Sequence, residues 1–146
     1  RPHFGRTPVS ATFVLDCSMT LTWMFDEEAT TATREIQSRL QDEAAVVPGL
    51  WMLEVANALA MAEKRKRSTA AQSDKFLKML AALDIDVDHE FASRAFGPLL
   101  SFCRDHGLTS YDAAYLDLAA RRRLPLATLD RQLATAAKKI RIPVLG

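Results

Sequence analysis

Thr12-Phe13-Val14-Leu15-Asp16-Cys17-Ser18 is the stretch that decides the fold: a short apolar run with β-branched and aromatic members, ended by a carboxylate. A continuous run of this length suits a strand buried on both faces of a parallel sheet. Asp16 then sits at the strand's C-terminal tip. In open α/β sheets that edge is where ligands bind, because helix N-termini gather there and the connecting loops splay apart. What matters next is whether other acids reach the same edge.

Downstream, Ser18 is expected to cap a short helix to Phe25, and Asp26 to Leu40 reads as a helix with an acidic first turn, Asp26-Glu27-Glu28. Ala44 to Val47 is a second strand, closed by Pro48-Gly49. Leu50, Leu53, Ala56, Leu59, Ala60 and Ala62 predict a helix from Leu50 to about Lys66, and Ser68 is expected to cap a second helix through Leu83. The two should form a hairpin. Ile85 to Val87 is a third strand, followed by a helical region to His106 that Pro98 interrupts and Gly107 stops. Ser110 is expected to cap Tyr111 to Arg123, Leu126 to Thr128 is strand-like, Asp130 begins a helix to Lys139, and Ile142 to Leu145 is a last edge strand. This βα order predicts a three-layer α/β/α sandwich around a largely parallel sheet of about four to five strands. Residues 1–10 lack periodicity and read as an N-terminal extension or expression remnant, leaving residues 11–146 as one domain.

A chain of 146 residues with 49% hydrophobic content can bury a single core, and a net charge of +1 excludes nucleic-acid binding through overall basicity. Cys17 and Cys103 lie far apart with no CxxC, and read as reduced thiols of a cytoplasmic protein. No apolar run reaches membrane-span length, so no membrane role is expected. His3, His89 and His106 match no metal spacing and read as surface or capping residues.

Asp16 and Asp130 directly follow strands, and Glu54 lies on the first turns of the helix entered after the second strand. Asp112 starts a helix that leads into a strand. In a right-handed crossover that helix runs antiparallel to its strand, so its N-terminus lies at the strands' C-terminal edge. All four acids therefore share one edge of one sheet, in an order that depends on strand order. Singly, each has a plainer reading as a cap or a helix-dipole partner, contributing ~0.3–1 kcal/mol. Glu54 fits that reading least, since Trp51, Met52, Leu53, Val55 and Ala56 surround it. Four such acids together repel one another unless cations or protons intervene. A hard divalent ion resolves the conflict and retains positions for water and a substrate phosphate, the chemistry of phosphodiester hydrolysis.

Four stretches carry a family resemblance: Val14-Leu15-Asp16-Cys17-Ser18 with Trp23, Pro48 to Leu59 around Glu54 and Asn57, Gly107 to Tyr115 around Asp112, and Leu126-Ala127-Thr128-Leu129-Asp130. The chain resembles PIN-domain ribonucleases of the VapC toxin type from about Thr12 to Leu145. The resemblance implies a cytoplasmic, homodimeric endoribonuclease of a type II toxin–antitoxin system that uses Mg²⁺ or Mn²⁺ and is neutralised by a cognate VapB-like antitoxin. Carried over by motif, Asp16, Glu54, Asp112 and Asp130 would form the catalytic centre. Asp16, Asp112 and Asp130 would be direct or water-mediated metal ligands, Glu54 would orient or deprotonate the attacking water, and Ser18, Asn57 and Thr128 would support them.

Some residues stand outside this pattern. Asp117, five helical steps from Asp112, turns about 140° away and is expected to face solvent or form a salt bridge. Cys17 is expected to pack. Lys64-Arg65-Lys66-Arg67, Arg121-Arg122-Arg123 and Lys138-Lys139-Arg141 are candidates for holding RNA, or are solvated helix ends. The hairpin around Met61 to Met79 offers a groove for an antitoxin segment, or fills the core or a dimer seam. The competing function classes are an aspartyl-phosphate domain, which lacks here its second aspartate and its lysine, and a non-catalytic PIN-like RNA- or protein-binding module. Divalent-ion binding coupled to RNA cleavage separates that module from the enzyme.

Overall fold

The computed structural model describes residues 10–146. Apart from Ser10, the N-terminal extension lies outside the described residues, as does His3. The apolar run forms β1 (Ala11–Leu15), the central strand of a five-stranded parallel sheet. Its neighbours are β2 (Ala44–Pro48) on one side and β4 (Leu126–Ala127) on the other, with β3 (Ile85–Asp88) and β5 (Val144–Leu145) at the two edges. Phe13, Val14 and Leu15, like Ala44 to Val47, are wholly buried, as a strand covered on both faces requires. Between them run α1 (Cys17–Leu21), α2 (Thr31–Arg39), α3 (Leu50–Lys64), α4 (Ala70–Ala81), α5 (Leu100–His106), α6 (Ser110–Arg122) and α7 (Arg131–Lys139). Right-handed crossovers put α2 to α4 on one face and α5 to α7 on the other, the expected α/β/α sandwich.

Several boundaries differ from the sequence reading. The helix expected over Asp26 to Leu40 is broken: Asp26–Glu28 form a 3₁₀ turn, and α2 begins only after Thr30. Thr30 and Thr33 exchange side-chain and backbone hydrogen bonds in a capping box, which fixes that start. The caps expected at Ser68 and Ser110 fall one residue away, at Thr69 and Thr109, whose hydroxyls accept from the backbone N–H of Gln72 and Asp112. Ser18 caps no helix and bonds to Asp16 instead. Around Pro98 the chain takes a π-helical turn, Ala95–Leu99, which accommodates the missing N–H. Gly107 ends α5 at φ 66°, a conformation that favours glycine. The α3–α4 hairpin is present, joined where the Ser73 hydroxyl donates to Glu63 at 2.7 Å.

Strand order 3-2-1-4-5 is what positions the site. The chain leaves β1 toward β2 on one side and later returns to β4 on the other, so the edge between β1 and β4 is the topological switch point. Asp16 follows one of these strands, and Thr128 and Asp130 follow the other.

Candidate acidic active site

Asp16 is 5% exposed, and its Oδ2 accepts two hydrogen bonds, from the Ser18 and Thr128 hydroxyls, each at 2.6 Å. The parallel pairing of Leu15 with Ala127 makes this possible, since it brings residue 128 beside residue 16. Thr128 also accepts from the backbone N–H of Asp130 at 3.0 Å, and Ser18 from that of Leu129 at 3.0 Å. Ser18 and Thr128 thus lock the two strand ends together. Asp130 is the N-cap of α7, its Oδ1 accepting from Leu133 N–H at 2.9 Å. Capping occupies that one carboxylate oxygen.

Glu54 lies one turn into α3, where its Oε1 accepts from the Tyr115 hydroxyl at 2.5 Å. Tyr115 is wholly buried on α6, three residues beyond Asp112, so one helix supplies an acid and the clamp on another. Sequence reasoning assigned this residue no role. The signal was its spacing from Asp112, which places a phenol on the inward face next to the acid. Asn57, by contrast, is exposed, and no hydrogen bond among the described residues joins it to the four acids.

The electrostatics tie the four together. Burial pushes the Asp16 carboxyl up, the Ser18 and Thr128 hydroxyls oppose this, and the charge of Asp130 adds to it. Burial also raises Glu54, against the Tyr115 hydrogen bond and with the charges of Asp16 and Asp112. Asp112 is pushed up to about 6 by burial, then by Asp130 and Asp16. Cys17, the buried first residue of α1, is raised to about 12 by burial and by the charges of Glu54 and Asp16, so its thiol stays neutral, in keeping with a packing role. Burial raises Tyr115 as well, which keeps it a hydrogen-bond donor.

Two observations bear on whether a divalent ion fits. As the side chains lie, no three His, Cys, Asp or Glu among the described residues are gathered into a group that could hold a metal. Yet Asp16, Glu54 and Asp130 each anchor one carboxylate oxygen and leave the other (Oδ1, Oε2 and Oδ2) without a side-chain partner. Fixed, half-free carboxylates that repel one another are a hard-oxygen donor set suited to Mg²⁺ or Mn²⁺.

The contrast with the other buried acids is informative. Asp117 is 3% exposed and is not solvent-facing; it pairs with Arg94 at 2.6 Å and Arg121 at 3.2 Å. Asp88 pairs with Arg121 at 3.1 Å and Arg122 at 2.9 Å. Arginines thus neutralise these two acids, whereas none of Asp16, Glu54, Asp112 and Asp130 has a cationic partner among the described residues. His89 is exposed and His106 half-buried; neither approaches the acids as a ligand. No helix among the described residues is long and apolar enough to cross a membrane.

No curated protein matches the chain. Among solved structures, PAE2754 from Pyrobaculum aerophilum superposes with a TM-score of 0.68 at 22% identity, covering 97% of this chain and 88% of that one. VapBC2 from Rickettsia felis, bound to a DNA fragment from their promoter, gives 0.63 at 12% identity, covering 90% and 96%. A toxin–antitoxin complex from Klebsiella pneumoniae gives 0.63 at 14%, covering 94% and 97%. At these identities the likeness is one of fold. The PIN domain family itself matches residues 13–139, a span that contains the C-terminal part of β1, the switch point and all four acids. On that match, the chain belongs to the PIN domain family.

Proposed function

We propose that this protein is a metal-dependent endoribonuclease, a VapC-type toxin that hydrolyses RNA phosphodiester bonds and is held in check by a VapB-like antitoxin. The observation that carries the reading is the unneutralised acidic edge: arginines cover Asp88 and Asp117, while the four acids around the switch point have only hydroxyl and N–H partners. Family membership supports nuclease chemistry, and the likeness in fold to toxin–antitoxin structures supports the toxin class and the antitoxin partner.

In this mechanism Asp16, Asp112 and Asp130 would hold Mg²⁺ or Mn²⁺, which when bound would supply Lewis acidity, making water more acidic and offsetting charge that builds on the phosphate. Ser18 and Thr128 fix the Asp16 rotamer so that its second oxygen is presented without reorganisation. Tyr115 aims Glu54 in the same way. Glu54 stands outside this ligand set, and burial with the charges of Asp16 and Asp112 raises its carboxyl, which suits it to orient the attacking water or take its proton. No protein nucleophile is needed. The homodimer and the antitoxin docking belong to the same proposal. Exposed Met52, Leu53 and Leu77 on the α3–α4 hairpin, and the groove of about 560 Å³ between that hairpin and Trp23 to Glu27, are surfaces suited to them.

The test is incubation of the purified, antitoxin-free protein with a pool of cellular RNAs and Mg²⁺ or Mn²⁺, beside EDTA and Asp112→Asn controls. Discrete fragments that vanish in both controls are expected. Ion binding without cleavage of any RNA would instead favour the non-catalytic binding module.

A further inference from the structure

A four-carboxylate centre repels the backbone it is proposed to cut, so cations outside it must hold the strand. Two of the three conspicuous basic runs are poorly placed for this. Arg121 and Arg122 are taken up by Asp88, Asp117 and Glu90. Arg67 pairs with Glu27 and Glu28 and lies 3.8 Å from the centre of the Phe25 ring. Lys64 lies ten residues beyond Glu54 on α3, about 15 Å along the helix axis.

We propose that the groove between α7 and the end of α5 is a phosphate track for single-stranded RNA, leading away from the acidic centre. It encloses about 250 Å³ between His106, Arg131, Gln132, Thr135 and Lys139. The four α7 residues recur at helical spacing along one face. Arg131 and Lys139 are thereby separated by about 12 Å along the axis, room for more than one backbone phosphate. No carboxylate lines this groove, and neither cation has an ion-pair partner among the described residues, unlike Arg34, Arg39, Arg67, Arg94, Arg121 and Arg122.

Two further observations bear on this track. His106 closes it at the α5 end, its ring packed against Phe102 with centroids 5.9 Å apart. The track is also tied to the centre: Arg131 directly follows Asp130, and Gln132 Nε2 donates to Gly107 O at 2.7 Å, pinning α7 to the turn that leads into α6 and Asp112. That continuity favours the strand being cut over an acidic peptide. In the sequence Arg131 has no assigned role and His106 only a surface or capping one, while Lys139 lies within one of the basic runs.

This inference rests on the ribonuclease reading, and the experiment separates the two. The full chain and its Arg131→Ala/Lys139→Ala variant bind a fluorescent single-stranded oligoribonucleotide in EDTA over a series of salt concentrations. A Lys64→Ala/Arg65→Ala variant serves as the control. Both substituted groove side chains are exposed, so an unchanged thermal melt is expected. Losing two phosphate contacts should make the slope of log affinity against log salt shallower by about 1.4, while the control keeps the parent slope. A groove variant with the parent slope, or a control with the same loss, overturns the track while leaving cleavage by the parent intact. A parent that neither binds nor cleaves RNA overturns both readings. In a parallel titration the oligoribonucleotide should move the imidazole NMR signals of His106; movement with an acidic peptide alone overturns the assignment to RNA.

Discussion

Replacing Asp112 by Asn should stabilise the metal-free protein while abolishing cleavage, and the two effects have one cause. Asp112 stands at about 6 against an ordinary 3.8, raised by burial and by the charges of Asp130 and Asp16. A carboxyl with a raised folded pKa carries no penalty well below 3.8, where it is protonated in both states. The penalty builds as pH rises from 3.8 to about 6 and is complete above it, where the folded protein holds the charge. At full value the difference is about 3 kcal/mol. Asp112 is only partly buried, so solvent screening cuts this to roughly 1–1.5 kcal/mol. In a domain of this size that amounts to a rise in Tm of about 2–6 °C at about pH 7.5, vanishing near about pH 3. The assay is a thermal melt of parent and variant in EDTA at both pH values, repeated with Mg²⁺. With the ion present the order should narrow or invert, because the parent gains ligand stabilisation that the variant lacks. A variant no more stable than the parent at pH 7.5 in EDTA, or equal Mg²⁺ stabilisation of both, would refute the argument that these acids are poised for a cation.

Other consequences follow from the same geometry. Tyr115→Phe removes the donor to Glu54, so kcat should fall about 10-fold and the acidic limb of the pH–rate profile should move upward, read by initial rates across pH. Asp117→Ala leaves Arg94 without its buried partner, while Arg121 keeps Asp88 and Glu90, and should cost about 2–3 kcal/mol in urea unfolding, less than a fully buried pair because Arg94 keeps some solvent contact. For Asp88, burial alone would raise the carboxyl, but bonds from Arg121, Glu90 N–H and Arg122 outweigh it and hold the pKa down. Its stabilisation is therefore present above the unfolded carboxylate pKa and lost as pH falls through the lower folded value, so Asp88→Asn should lower Tm at pH 7 more than at pH 2. Cys17, held neutral and buried, should resist a thiol reagent at pH 8 that labels the less buried Cys103, as mass spectrometry of the two peptides would show.

Where the sequence reading missed, the missing information was tertiary. Thr69 and Thr109 cap because the backbone there is extended and their hydroxyls reach the N–H groups of Gln72 and Asp112, whereas the serine that follows or precedes each looks equally suitable along a string. For Asp117 the sequence leaves solvent and a salt bridge both open, and Arg94, distant in sequence, decides for the salt bridge. The basic run Arg121-Arg122-Arg123 reads as a patch only while Asp88 and Glu90 are unplaced.

The sequence by itself determined the α/β class, the parallel strands and the edge on which the four acids meet. Local hydrophobic periodicity and the handedness of crossovers constrain those features without any knowledge of neighbours. Strand order, and with it the pairing of Asp16 with Thr128 across the switch point, was decided only by the tertiary structure. So were the Tyr115 clamp on Glu54, the arginines that neutralise Asp88 and Asp117, and the basic groove of α7. Each of these joins residues tens of positions apart, and such contacts depend on how helices pack against a sheet, which a one-dimensional pattern does not encode.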